Sequence, residues 1–277
     1  MIIAQILQKA KETIGPQGDL IGVEVLLAYV LQKGKEFLVS HADFDLTSEQ
    51  QQSFFYLFDR FFDGEPVAYL THNKEFYGLD FYVDKRVLIP RPETELLVER
   101  ALNCLKNLPE PRILDVGTGS GCIAVSLASK LPQAKIVASD VEESALQVAK
   151  KNVQHHQLED RISLVKSDLL TNIDDHFDLV VANLPYIGTK HFAFVSKEAQ
   201  DFEPHAALFG GVDGLGLYEK LFQQLSKWKN KPVFLLGEFG FLQGEEIRLL
   251  IGKYFPANQL EIFEDYAKIE RIFMIRF

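Results

Sequence analysis

The tetrapeptide Asn183-Leu184-Pro185-Tyr186 carries the most specific chemistry in the chain, because it follows directly on the apolar run Phe177–Ala182. A planar amino nitrogen is a poor nucleophile, since its lone pair is delocalised into the neighbouring carbonyl or ring. The Asn183 side-chain oxygen and the Leu184 main-chain carbonyl can each accept one N–H of such a group. Charge builds on the nitrogen as it attacks, so both bonds strengthen towards the transition state and lower the barrier. Tyr186 offers a flat face on which an amide or base plane can stack. An Asn-x-Pro sequence is also an ordinary strand-ending turn. At the end of a buried strand, on an edge that already carries ligand-binding signals, the acceptor reading is preferred.

Those signals lie upstream. Asp115-Val116-Gly117-Thr118-Gly119-Ser120-Gly121 joins the short strand Ile113–Val116 to the helix Cys122–Lys130. Glycines here let the backbone approach a ligand closely, and the helix N-terminus offers free N–H groups. The spacing is G-x-G-x-G rather than the dinucleotide fingerprint G-x-G-x-x-G, and Cys122 stands where that third glycine would fall. A tight strand–helix corner needs glycine in any case. Asp140 ends the second strand, where a carboxylate can accept both hydroxyls of a ribose or can cap the next helix. Asp168, followed by Leu169, is placed in the same way after the third strand. It can accept an adenine amino group or close a turn.

The elements that must position these residues begin with helices. Residues 1 to about 62 are helical: Ile3, Ile6, Leu7 and Ala10 share one face, Gly15–Asp19 break the chain, and Val23, Leu26, Leu27, Val30 and Leu31 form a second stripe. Thr47-Ser48-Glu49-Gln50 is a capping box opening a helix with Phe54, Phe55, Leu57, Phe58, Phe61 and Phe62 as bundle core, ended by Asp63-Gly64. Residues 76–89 have β-type composition and suggest a hairpin, and Pro92 then starts a helix with acids in its first turn. From residue 111, strands at 113–116, 136–140, 162–166, 177–182 and 233–238 alternate with helices at 122–130 and 144–156. Two more strands, near 260–263 and 272–277, close the chain. Such alternation means a mostly parallel sheet with helices on both faces.

Composition bounds the partners. With 277 residues, 47% of them hydrophobic and only two cysteines, the chain is neither disordered, collagen-like nor disulfide-stapled. Twenty-nine basic residues against thirty-nine acidic ones give a net charge of −10, which disfavours general binding to a phosphate backbone. No run approaches the roughly 18 apolar residues of a membrane span, and the N-terminus lacks a signal-peptide layout. Cys104 and Cys122 have no metal-type spacing and no histidine pair matches H-E-x-x-H, so reduced thiols in a cytoplasmic protein without a metal are expected.

Over nearly its whole length the chain resembles the HemK/PrmC family, the glutamine N5-methyltransferases of peptide chain release factors. The resemblance rests on Gly64–Tyr69, Val87–Glu95, Ile113–Ala124, Asn183–Ile187, Asp201–Pro204, Ala207–Gly211 and Glu238–Glu245. Leu88–Glu95 is distinctive, because general methyltransferases lack it. The resemblance implies an α/β fold: a Rossmann-like seven-stranded S-adenosylmethionine-dependent methyltransferase domain at 93–277, preceded by a helical, substrate-docking bundle at 1–70 and a β-hairpin linker at 71–92. It implies S-adenosyl-L-methionine held by Gly117, Thr118, Gly119, Ser120, Gly121, Asp140, Asp168, Leu169 and Asn183. Asn183, Leu184, Pro185 and Tyr186 would hold the glutamine amide and catalyse. The implied partner is a release factor, with no metal, membrane or direct nucleic-acid partner.

Two positions depart from the family's pattern. Leu184 replaces the first proline of Asn-Pro-Pro-Tyr, keeping the carbonyl but losing proline's fixed φ. Asn-Leu-Pro-Tyr also occurs in ribosomal RNA adenine dimethyltransferases, so the tetrapeptide alone does not choose the substrate. The family's glycine shortly after Tyr69 is absent, and Asn73 is the residue expected to take the left-handed conformation there. The competing functions are a nucleic-acid amino methyltransferase of the adenine-N6 type and a non-catalytic S-adenosylmethionine-binding partner protein.

Overall fold

The computed structural model describes residues 1–16, 18–190, 195–256 and 259–277; Gln17, within the expected break, lies outside the described residues. The chain divides into two compact units, Met1–Asn73 and Lys74–Phe277.

The first unit is built from α1 (Ile3–Ile14), α2 (Leu20–Leu31), α3 (Lys35–Ser40), α4 (Ser48–Phe62) and α5 (Val67–Thr71). Ile3, Ile6 and Ala10 of α1 are fully buried with Val23, Leu26 and Leu27 of α2. The Asp19 carboxylate caps α2 by accepting from Gly22 N at 2.9 Å, and the expected capping box opens α4, with Gln50 N donating to Thr47 Oγ1. On α4 only Phe54 and Phe58 are buried. Phe55, Leu57 and Phe61 are half-buried and Phe62 is exposed, because six apolar side chains span more of a helix than one buried stripe. After α5 the left-handed residue is His72 (φ 54°), not Asn73. The reversal must come at the helix end itself, where the next N–H, that of Asn73, can return to Ala68 O.

The second unit opens with a hairpin of β1 (Lys74–Phe76) and β2 (Leu79–Phe81), turned by Tyr77 and Gly78, both at positive φ. It is shorter than the expected 76–89, because residues 82–93 make no ladder and run irregularly. Phe76 and Phe81 are buried in one cluster with Leu97, Ala101 and Ile113. The next helix, α6 (Thr94–Leu105), starts at Thr94 rather than Pro92. Arg91 and Pro92 carbonyls accept from Thr94 N and Glu95 N, so a tight turn precedes the helix proper.

There follow β3 (Arg112–Val116), α7 (Cys122–Lys130), β4 (Lys135–Asp140), α8 (Glu143–His155), β5 (Ile162–Lys166), β6 (Leu179–Ala182), α9 (Lys197–Phe202), α10 (His205–Leu208), α11 (Gly216–Lys227), β7 (Phe234–Glu238), α12 (Gly244–Gly252), β8 (Leu260–Glu264) and β9 (Glu270–Arg276). The seven strands β3–β9 form one sheet in the order β5-β4-β3-β6-β7-β9-β8. β3 to β7 are parallel, and β9 runs antiparallel to both β7 and β8. Buried clusters lie on both faces, which is why strands such as Leu179–Ala182 are apolar throughout. After β3 the chain winds outwards to β5 and then returns to place β6 on the other side of β3. The carboxyl ends of β3 and β6 therefore flank the reversal point, where such sheets bind ligands. Among the described residues no helix is long and apolar enough to cross a membrane.

Candidate active site

A cavity opens at that reversal point. Val116–Ser120, Asp140, Asp168, Leu169 and Asn183–Pro185 line it, together with Arg86–Leu88, Pro90, Arg91 and Thr94 from the segment before α6. Gly117, Gly119 and Gly121 all have positive φ (74°, 54° and 81°), a conformation that penalises any side chain. A Cβ at Gly117 would stand 3.0 Å from Leu184 Cδ2, whereas the Cβ position of Gly119 has nothing within 4 Å. The turn is thus packed on one side and open on the other. Gly117 N and Thr118 N both donate to Ser139 O, at 2.8 and 2.9 Å, tying the turn to β4. Buried Asn152 on α8 donates to Ser120 O at 2.8 Å and to Tyr82 O at 2.9 Å, clamping the turn to the irregular segment. Burial pushes the Cys122 thiol up to about 12, so it stays protonated and inert.

Asp140 stands at the end of β4 with both oxygens engaged: Oδ2 accepts from Gly119 N and Oδ1 from Glu142 N, each at 2.9 Å. Burial raises its pKa, and these backbone donors oppose the rise. It does not cap α8, whose N-cap is Glu142. A carboxylate has about four acceptor sites, so two remain for a diol. Asp168 is half-exposed and pairs with Lys220 Nζ, while the turn after it is closed by its main-chain carbonyl, which accepts from Thr171. Leu169 is buried with φ 54°.

The tetrapeptide leaves β6 under tight control. Asn183 Nδ2 donates to Thr94 Oγ1 at 3.0 Å, and among the described residues nothing donates to its Oδ1. The Leu184 side chain is buried beneath Gly117. Tyr186 does not line the cavity. Its hydroxyl donates to Glu238 Oε1 at 3.0 Å, and burial beside that carboxylate keeps the phenol protonated. Glu238 is pushed up to about 6, chiefly by burial and against the Thr94 and Tyr186 hydroxyls and Arg271. Gln243 donates to Tyr186 O at 2.8 Å and Asp213 O at 3.0 Å while accepting from Gly240 N, so one amide joins three loops. The buried Tyr218 hydroxyl lies 3.1 Å from Ala182 O and also reaches Glu238 O, linking the ends of β6 and β7.

The fold thus brings Gly117–Ser120, Asp140, Asp168, Leu169, Asn183, Leu184 and Pro185 around one cavity, whereas Gly121 faces Ala149 of α8 and Tyr186 lies outside the lining. Residue types and spacing assign no role to Thr94, Asn152, Tyr218, Glu238 or Gln243. Thr94, Glu238 and Gln243 lie in stretches that carry the family resemblance, which is their available signal. Asn152 and Tyr218 sit on helix faces at core spacing and give none.

Two family patterns match this chain: PrmC N-terminal domain over residues 5–71, and Methyltransferase small domain over residues 93–201. The release factor glutamine methyltransferase of Buchnera aphidicola subsp. Baizongia pistaciae is 36% identical, covering 96% of this chain and 94% of its own length. That of Koribacter versatilis is 37% identical, covering 95% and 92%. The chain belongs to the release factor glutamine methyltransferase family. Among solved structures, the human Mettl16 catalytic domain in complex with an MAT2A 3'UTR hairpin superposes with a TM-score of 0.62 at 18% identity, over 76% of this chain and 80% of that one. At that identity the likeness concerns the fold alone. Within the family's tetrapeptide, the Leu184 side chain spends its freedom on packing under the Gly-rich turn.

Proposed function

We propose that this protein transfers a methyl group from S-adenosyl-L-methionine to the side-chain amide nitrogen (N5) of a glutamine in a peptide chain release factor. Family membership supports the reaction. The observation that carries the site is Asn183, held by its nitrogen on Thr94 so that its oxygen is left for a substrate N–H beside the cavity.

The cavity suits the donor. Asp140 has acceptor sites left for a ribose diol, and Gly119 leaves open space where a side chain would intrude. Gly117–Gly121, Asp140, Asp168 and Leu169 would hold it. When bound, the donor supplies an electrophilic methyl carbon on a sulfonium centre. Asn183 Oδ1 and Leu184 O accept the two amide N–H groups, which orients the nitrogen, and both bonds strengthen as positive charge builds on it during attack. Orientation of this kind supplies roughly 7–11 kcal/mol of barrier lowering. Once alkylated, the nitrogen is acidic and its proton leaves without a dedicated base.

The unit Met1–Asn73 is taken as the docking element for intact release factor, with residues 74–92 leading into the methyltransferase domain. A cytoplasmic site of action goes with the free thiols Cys104 and Cys122. The test is incubation with labelled methyl donor and either release factor or RNA. Label on a release-factor glutamine supports the reading, and label on RNA alone sinks it.

A further inference from the structure

The proposed reaction needs Leu184 O as well as Asn183 Oδ1 aimed at the incoming amide, and a role for whatever fixes that carbonyl rests on the same reading. Among the described residues nothing donates to Leu184 O, so its direction is set by how the chain is held on either side. Upstream, β6 is laddered to β3 and β7 as far as Ala182. Downstream, Ile187 N donates to Leu208 O and Gly210 N to Ile187 O, each at 3.0 Å, which lays residues 208–214 alongside the tetrapeptide. The two strips of backbone lie flat on each other. A Cβ at Gly210 would run into Pro185 O, one at Gly214 into Tyr186 O, and one at Gly188 would stand 2.8 Å from Val212 O.

Gln243 fastens the two strips together. It is buried, its Nε2 donates to Tyr186 O at 2.8 Å and to Asp213 O at 3.0 Å, and its Oε1 accepts from Gly240 N at 2.8 Å. A primary amide offers two N–H groups and an acceptor on one plane, and all of them are used here. Turned over, its oxygen would face two carbonyls and its NH2 an N–H, so the three partners fix its orientation. The mount is rigid: Gln243 is the N-cap of α12, its carbonyl accepts from Ile247 N, and Ile247 and Ile251 are buried in the core. The Tyr186 hydroxyl on Glu238 anchors the ring, whereas Gln243 anchors the carbonyl. Between that carbonyl and Leu184 O stand the Tyr186 backbone and Pro185, whose ring fixes one dihedral. Holding Tyr186 O therefore narrows the directions in which Leu184 O can point. We infer that Gln243 is a positioning residue for methyl transfer: from the head of α12 it fixes the backbone of Tyr186 and thereby aims Leu184 O at the substrate amide. Gln243 does not line the cavity, so it acts through the tetrapeptide.

The test uses the full chain, S-adenosyl-L-methionine and intact release factor, comparing wild type with Gln243→Met, Gln243→Glu and Asn183→Ala. Gln243→Met keeps the length of the side chain and removes all three bonds. It should lower kcat by about 10–100-fold, the scale of loss that a misplacement of about 1 Å brings. KM for release factor and donor affinity by calorimetry should hardly move. Gln243→Glu separates hydrogen bonding from packing. Its neutral carboxyl can accept from Gly240 N and donate to one carbonyl, whereas its charged form sets an anion against two carbonyls. Burial holds such a group protonated above the usual carboxylate range, so at about pH 6 it should turn over better than Gln243→Met and at about pH 9 no better. Rates are taken relative to wild type at each pH, where the titration of Glu238, present in every protein, cancels. Full turnover by Gln243→Met with Asn183→Ala impaired overturns the inference and leaves the proposed function standing. Full turnover by Asn183→Ala removes the reading beneath it. Loss of donor affinity alongside kcat in Gln243→Met, or Gln243→Glu matching it at both pH values, makes Gln243 a packing residue and also overturns the inference. Should Gln243→Met not fold, Gln243→Glu against wild type decides: a relative kcat that falls as pH rises supports the role, and a constant one overturns it.

Discussion

Asp115, at the centre of the sheet, should make the ligand-free protein less stable as pH rises, and Asp115→Asn should remove that dependence. Its carboxyl is fully buried; Thr118 Oγ1 donates to Oδ2 at 2.7 Å, while Oδ1 has no partner among the described residues. Burial is the main cause that pushes its pKa up to about 7 from 3.8. Below about pH 4 the group is protonated in both folded and unfolded chains and costs nothing. Between about pH 4 and 7 the folded chain holds a proton that the unfolded chain has released, so stability falls as pH rises and then levels off. At about 1.4 kcal/mol per pH unit, the full loss is on the order of 4 kcal/mol, of which about 2–3 kcal/mol falls between pH 5 and pH 8. Asparagine keeps an acceptor for Thr118 and carries no charge. Its own unpaired N–H group adds a cost that is the same at both pH values. Thermal unfolding of wild type and variant at pH 5 and pH 8 isolates Asp115 from Glu238, which titrates in both proteins. The variant's Tm relative to wild type should rise by about 5–10 °C from pH 5 to pH 8, given the usual conversion for a unit of this size. A difference independent of pH would mean that Asp115 ionises like an ordinary carboxylate and that the burial argument is wrong.

Asp140→Ala should weaken donor binding by roughly 1–3 kcal/mol with the fold intact, as read by calorimetry; unchanged affinity would leave Asp140 as no more than a brace for the Gly-rich turn. Asn183→Ala should lower kcat by about 10²–10³ with a smaller effect on donor affinity, whereas Asn183→Asp, which keeps an acceptor oxygen, should retain more activity. Removing Met1–Asn73 should spare donor binding but impair methylation of intact release factor. A soluble truncated chain working at the full rate would remove the docking role from that unit.

Much of the sheet unit is legible in the sequence because its signals are local. Helix α7 and strand β5 fall where apolar patterning puts them, and the residues at strand carboxyl ends can be named from strand order alone. The contacts that hold the site are not local. Asn183 meets Thr94 across 89 residues, Tyr82 meets Asn152 across 70 and Tyr186 meets Glu238 across 52, and no periodicity in the chain encodes such meetings. Residues 82–93 show the same limit. Their Val, Leu and Ile content reads as strand, yet Arg86, Val87, Leu88 and Pro90 wall the cavity instead of joining a ladder. His72 takes the left-handed position expected of Asn73 because the end of α5, fixed by packing, decides where the reversal falls.

The proposed role of Asn183 and its neighbours is to deliver a glutamine amide to a methyl donor. Its most direct measurement is mass spectrometry of a release factor after incubation with S-adenosyl-L-methionine and either wild-type protein or Asn183→Ala. One methyl on a single glutamine side-chain nitrogen with wild type, and almost none after the same time with the variant, is the predicted result. An unmodified glutamine with the fully folded wild-type enzyme, or equal methylation by both proteins, would contradict it.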